Sequence, residues 1–145
     1  MEILPINNQN LNDVINLVTH VFMKFEAPDY SEEGVKAFFD TALNNQEFMS
    51  QLAIWGAYID KELVGIIATR NKGNHIALFF VDGKHHGQGI GRRLFETVLR
   101  NSSSHEVTVN SSPYAKEVYH CLGFEDTDVE QVVTGIRFIP MIYTK

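Results

Sequence analysis

The sequence predicts a single α/β domain, residues 1–145, built on a mixed sheet, and three observations lead there. Strand-length apolar runs alternate with amphipathic stripes of helical spacing along the chain. No internal repeat, low-complexity tract or linker divides it. At 145 residues the chain is long enough to bury most of its apolar surface in one core without disulfide or metal staples.

Glu2 to Ile6 forms a short first strand, and an Asn-rich cap region follows it. Leu11, Val14, Ile15, Val18, Val21, Phe22 and Phe25 then fall on one face of a helix. Ala27-Pro28-Asp29-Tyr30 breaks that helix; Ser31 caps a second one, striped by Val35, Phe38, Phe39, Ala42 and Leu43. Two helices are thus expected before the main sheet. Gln51 to Ile59 and Glu62 to Arg70 read as strands joined by a tight turn at Asp60-Lys61, which favours an antiparallel hairpin.

Gly73 and Asn74 turn the chain into His75 to Val81, a strand apolar on both faces and therefore expected under cover on both sides. The next helix carries Ile90, Leu94, Phe95, Val98 and Leu99 on its sheet-facing side. Glu106 to Asn110 alternates as a strand, and Ser112-Pro113 opens a helix with Tyr114, Val118, Cys121 and Leu122 on one face. Gly123 stops it, and Phe124 to Asp128 and Gly135 to Tyr143 supply two late strands.

Charge and composition narrow the function. A formal net charge of -6 argues against nucleic-acid binding, which rests mainly on neutralising phosphates. No apolar run approaches the roughly 18 residues of a membrane span, and the start Met1-Glu2-Ile3 lacks the basic region of a signal peptide, so a cytoplasmic location is expected. Cys121 is the only cysteine, which excludes an internal disulfide or a cysteine zinc site; its helix face predicts burial rather than reactivity. Against the acidic background, Lys84, His85, His86, Arg92 and Arg93 crowd around Gly87, Gly89 and Gly91. A small polyanionic ligand is the expectation, because alternate glycines let backbone amides face one way at a helix start that carries partial positive charge.

Several nucleotide motifs place glycines between strand and helix, and spacing separates them. A dinucleotide fingerprint starting at Gly89 and Gly91 demands a small residue at Leu94, and one starting at Gly87 and Gly89 demands it at Arg92. The P-loop fails too, since no Gly-Lys-Ser/Thr follows. Glycines that merely make a tight turn remain the plain alternative. His85-His86 does not favour a metal, because adjacent turn side chains rarely hold one ion and no carboxylate cluster lies near in sequence.

His86-Gly87-Gln88-Gly89-Ile90-Gly91 resembles the acetyl-CoA signature of the Gcn5-related N-acetyltransferases (GNAT), Arg/Gln-x-x-Gly-x-Gly/Ala, with His86 where arginine or glutamine is usual. Tyr119-His120-Cys121-Leu122-Gly123-Phe124 resembles that family's Tyr-x-x-Leu-Gly-Phe segment, and the element order matches over nearly the whole chain. The resemblance implies a GNAT-like, mostly antiparallel central sheet flanked by helices and splayed at the cofactor site, with acetyl-CoA as co-substrate. It implies cofactor contacts from Phe79, Phe80, Val81, His86, Gly87, Gln88, Gly89, Ile90, Gly91, Arg92 and Asn110. The main chain of Phe79 to Val81 would meet the pantetheine amides, and Arg92 would add charge near phosphate.

The implied chemistry is direct attack of an amine on the thioester, forming a tetrahedral intermediate that expels CoA as a thiolate. Tyr119 is the implied general acid, set against a packing role for the same ring. No general base stands out among Glu26, His75, Asp82 and His85, and a water chain would serve equally.

In that family the acceptor pocket uses segments that correspond to Phe25–Glu33 and Val129–Gly135. Both are acidic here, which fits a cationic amine such as a polyamine, an aminoglycoside or a lysine, or else ordinary solvated charge at a helix start. The expected activity is transfer of an acetyl group to a primary amine of a small molecule or peptide, without a covalent enzyme intermediate. A non-catalytic CoA-binding or regulatory domain and a nucleotide-binding module are the alternatives. A homodimer is compatible with Phe138 to Tyr143, a strand suited to an interface or to the core.

Overall fold

Ile66 and Ile67 are sequence neighbours on one strand, point to opposite faces of the sheet and are both fully shielded from solvent, so the strand that carries them is covered on both sides. The computed structural model describes residues 1–145 and resolves into two compact units, Met1–Phe22 with Leu52–Ser104, and Met23–Gln51 with His105–Lys145.

The first unit contains β1 (Glu2–Ile6), α1 (Leu11–Val21), β2 (Ala53–Ile59), β3 (Glu62–Arg70), β4 (His75–Val81) and α4 (Ile90–Asn101). Its strands pair antiparallel in the order β1-β2-β3-β4. The β2–β3 turn takes positive φ at Asp60 and Lys61 (50° and 67°), the twist a two-residue hairpin needs. Asn71 and Lys72 repeat that device before β4 (56° and 59°). Both helices pack on β3, and the two buried faces of that strand put one helix on each side. Gly65 faces α4, where an added Cβ would lie 3.3 Å from Leu94 and 3.4 Å from Ile90.

Along β4, Ile76, Leu78 and Phe80 are buried while the alternate residues are only half-buried, so the strand has one core face rather than the two expected from its apolar sequence. His75 opens it. Burial, reinforced by the nearby Arg70 charge, pushes the imidazole pKa down to about 4 and keeps it neutral at pH 7.

The second unit contains α2 (Glu32–Phe38), α3 (Gln46–Ser50), β5 (Glu106–Ser111), α5 (Lys116–Leu122), β6 (Glu125–Asp126), β7 (Gln131–Val133) and β8 (Ile136–Thr144). β8 organises it, pairing antiparallel with β5 along Ser111↔Ile139 to Glu106↔Thr144, with β6 at Glu125↔Ile142 and with β7 at Val133↔Ile136. Ile139 and Met141 of β8 join Val107, Val109, Leu122 and Phe124 in this unit's core.

Several expectations are corrected here. Three helices precede β2 rather than two, because Asn45 caps a further short helix through Phe48 N at 2.9 Å. Segments Phe22–Glu26 and Phe39–Leu43 form wider, π-type turns, and a short strand, β7, lies between the two late strands expected from the sequence. Cys121 is exposed and Val118 is half-exposed at 50%. The α5 helix begins only at Lys116, after a turn in which Ser112 Oγ accepts from Ala115 N at 3.2 Å; of the expected stripe it buries Leu122, and Tyr119 joins it.

The β7–β8 hairpin turns at Thr134 and Gly135, both at positive φ (54° and 77°), and its tip rests on the first turn of α2. Ser31 Oγ accepts from Gly34 N at 3.1 Å there, and a Cβ on Gly34 would run into the Gly135 carbonyl. The two backbones touch because neither residue has a side chain. Gly34→Ala is expected to lower stability by about 1–3 kcal/mol, measured by chemical denaturation, through forced separation of hairpin and helix. Gly87→Ala, where the added methyl meets nothing within 4 Å, should cost only the left-handed backbone penalty of ~1 kcal/mol.

Candidate active site

In the first unit, β4 hands the chain to α4 through a connection whose conformation is set residue by residue. Asp82 Oδ1 accepts from Lys84 N at 3.0 Å and shapes the short turn Gly83–His85. His86 Nε2 then reaches back to the Val81 carbonyl at 2.7 Å. A carbonyl can only accept, so Nε2 carries the proton and the ring braces the loop against the end of the strand. Gly87 and Gly89 both adopt φ of +79°, and a Cβ on either would meet nothing within 4 Å. Their glycines are therefore required by backbone conformation, and the space beside them stays open.

Gly89 is the residue before α4, and no side chain caps that helix. The amides of its first turn are left to point outward, with the positive end of the helix dipole behind them. Gly91 is different. A Cβ there would sit 3.5 Å from the Phe79 ring, an ordinary contact, so neither torsion nor space demands glycine at this position.

Of the residues assigned to cofactor contact, Phe79 through Val81 and His86 through Arg92 thus lie consecutively on this connection. Phe80 and Ile90 turn their side chains into the core at 5% and 2% exposure, which leaves only their main chain for a ligand. Gln88 and Arg92 are exposed. Asn110 belongs to the second unit, exposed on β5 opposite Pro140 of β8.

The second unit also holds Tyr119, packed edge-on against Phe124 with ring centroids 5.2 Å apart. Burial, and after it the charge of Glu26, pushes its phenol pKa far above the ordinary tyrosine value, so the hydroxyl keeps its proton throughout the physiological range. Glu26 ends the π-type turn that follows α1. The residue is half-buried, yet desolvation of its carboxyl outweighs the Ser112 hydrogen bond that stabilises the anion, and Asp29 adds repulsion. Its pKa rises to about 7.

Sequence reasoning offers Glu26 as one of four candidate bases but cannot choose among them, because burial is not a local property. It also missed Tyr30, Tyr114 and Ser112, which gather on Glu26 from separate segments. The hydroxyl pKa values of both tyrosines are pushed up by burial first and by Glu26 second. Phe25 and Tyr114 stack with centroids 5.1 Å apart. Among the other bases considered, Asp82 is committed to its turn and His75 stands at the far end of β4, some 20 Å of strand away from the loop.

A model of the acetyltransferase (GNAT) domain family matches residues 26–145. Among solved structures, the chain resembles a Gcn5-related N-acetyltransferase from Rhodopseudomonas palustris at 18% identity and a TM-score of 0.85, covering 99% of this chain and 95% of that one. It resembles the PaiA N-acetyltransferase from Thermoplasma acidophilum, solved with coenzyme A, at 18% identity and 0.80, covering 99% and 98%. An aminoglycoside 6'-N-acetyltransferase solved with coenzyme A follows at 14% identity and 0.67, covering 99% and 97%. None of the curated proteins matches the sequence. No helix is long and apolar enough to cross a membrane. The family model spans all but the first 25 residues, and on that ground the chain belongs to the GNAT acetyltransferases.

Proposed function

We propose that residues 1–145 act as one N-acetyltransferase domain that uses acetyl-CoA to acetylate a primary amine of a small molecule or peptide by direct transfer. The observation that carries this reading is the uncapped start of α4 behind two left-handed glycines, a backbone cradle suited to a pyrophosphate and left open by its own side chains. Coenzyme A in the related PaiA and aminoglycoside acetyltransferase structures supports the choice of anion. Amides of Gly87 to Gly91 would hold the pyrophosphate and Arg92 would add charge. Main-chain groups of Phe79 to Val81 would receive the pantetheine arm. The Val81 carbonyl already accepts from His86, so His86 serves as the brace of the cradle.

When bound, acetyl-CoA supplies an acetyl group activated as a thioester. Glu26 is suited to take the proton an attacking ammonium must lose, since a pKa of about 7 sits near the operating pH of a general base. Tyr119 is suited to protonate the departing sulfur. Its raised pKa works against that transfer, but part of the rise comes from the negative charge on Glu26. Once Glu26 is protonated that repulsion ends, so proton uptake at one group eases release from the other.

Release of free thiol from acetyl-CoA across an amine panel tests the activity, and its absence with every amine would overturn it. His86→Ala should weaken acetyl-CoA binding by calorimetry about ten-fold through loss of the brace, not abolish it. For Tyr119→Phe, acetyl-CoA affinity should stay nearly intact while turnover falls; unchanged turnover removes Tyr119 from the mechanism. Glu26→Gln should lower kcat/KM roughly a hundred-fold and flatten its rise through pH 7.

Stability gives a second readout on Glu26. Its folded pKa lies above the ordinary 4.5, so its contribution is present below pH 4.5 and is lost as pH rises through about 7. Glu26→Gln should therefore melt higher than the parent at pH 8 and not at pH 4.

A further inference from the structure

We infer that the acceptor is a primary amine carried on a flat aromatic body, bearing one positive charge, rather than a polyamine or an aminoglycoside. This rests on the acetyltransferase reading above and names the substrate class of the same site.

The first argument is how the carboxylates of the acceptor segments are used. Glu130 is forked by Arg137, with Nε donating to Oε2 at 3.0 Å and Nη2 to Oε1 at 3.3 Å. The same guanidinium donates to the Asp29 carbonyl at 3.3 Å and sets its positive charge beside the Asp29 carboxylate. Glu32 and Glu33 occupy the exposed first turn of α2, where the helix dipole accounts for them. Glu26 is left as the carboxyl withdrawn from water with one hydroxyl partner, Ser112. One such carboxyl matches one ammonium. Each further ammonium of a polycation would be stripped of water without a counter-charge, which is costly.

The second argument is what surrounds that carboxyl. Phe25, adjacent to it in sequence, stacks on Tyr114 at an interplanar angle of 28°. The Tyr30, Tyr114 and Tyr119 hydroxyls all lie within range of the Glu26 charge. Ring faces favour a flat apolar partner by offset stacking, and they hold an ammonium by cation–π attraction where a carboxylate is near.

Positive charge on the rim supplies the third. Lys24 Nζ lies 5.4 Å from the Phe25 ring centre, and Arg137 stands by Tyr30. The Arg137 charge is offset by Glu130, which leaves the Lys24 ammonium beside the Phe25 ring to repel a polycation more strongly than a monocation.

The test is thiol release from acetyl-CoA by the full chain with 2-phenylethylamine, hexylamine, spermidine, neamine and a lysine peptide. Expected is a kcat/KM for 2-phenylethylamine at least ten-fold above that for each of the others. Tyr114→Leu, checked for folding by circular dichroism, should raise the KM for 2-phenylethylamine about ten-fold while the KM for acetyl-CoA moves less than two-fold. A preference for spermidine, neamine or the peptide, or equal rates with hexylamine, overturns the aromatic acceptor while the acetyltransferase reading stands. No thiol release with any amine overturns both.

Discussion

A carboxyl group held partly out of water at Glu26 is the constraint to which its titratable neighbours respond. Keeping it there costs folding free energy, since the anion loses solvent and gains only one hydroxyl partner. The neighbourhood responds together: each tyrosine within its reach is harder to ionise because Glu26 is charged, and Glu26 is itself harder to ionise because of Asp29. Titration of one group therefore shifts the others, and the cluster behaves as a coupled set. His75 in the other unit shows the opposite case, a base driven neutral by burial and by a neighbouring cation, in a place where strand packing is the evident use.

The glycine connection is governed by a different kind of constraint. Gly87 and Gly89 are fixed by torsion, whereas a Cβ on Gly91 would make only an ordinary contact with Phe79. The His86 ring ties this segment to Val81, and it does so through a main-chain acceptor, which makes the loop shape insensitive to what the β4 side chains are.

Local chemistry made much of this legible beforehand. The Asp60-Lys61 hairpin, the bounds of β3 and β4 and the start of α4 follow from turn residues and apolar runs, and the structure has them where the sequence puts them. Less legible were elements set by tertiary packing. β7 spans three residues, of which Val132 and Val133 are 62% and 57% exposed, so no apolar alternation marks it. In α5 the apolar stripe pointed to Val118, Cys121 and Leu122, yet a seven-residue helix has room to bury few side chains, and only Leu122 of these is buried, together with Tyr119. The candidate site divided the same way: the left-handed glycine turn was readable from glycine spacing, whereas the surroundings of Glu26, named only as one of four candidate bases, were not, since Ser112, Tyr114 and Tyr119 reach it from more than 80 residues along the chain.

The bare backbone contact between Gly34 and Gly135 fixes a length as well as a position. Val129, Val132 and Val133 on the hairpin arms are mostly open to solvent and can change identity at little cost to packing. An inserted or deleted residue in either arm would carry Gly135 away from Gly34 and slide the Arg137–Glu130 fork with it. Variation in this part of the molecule is thereby channelled into substitution, with side chains exchanged on a hairpin of constant span.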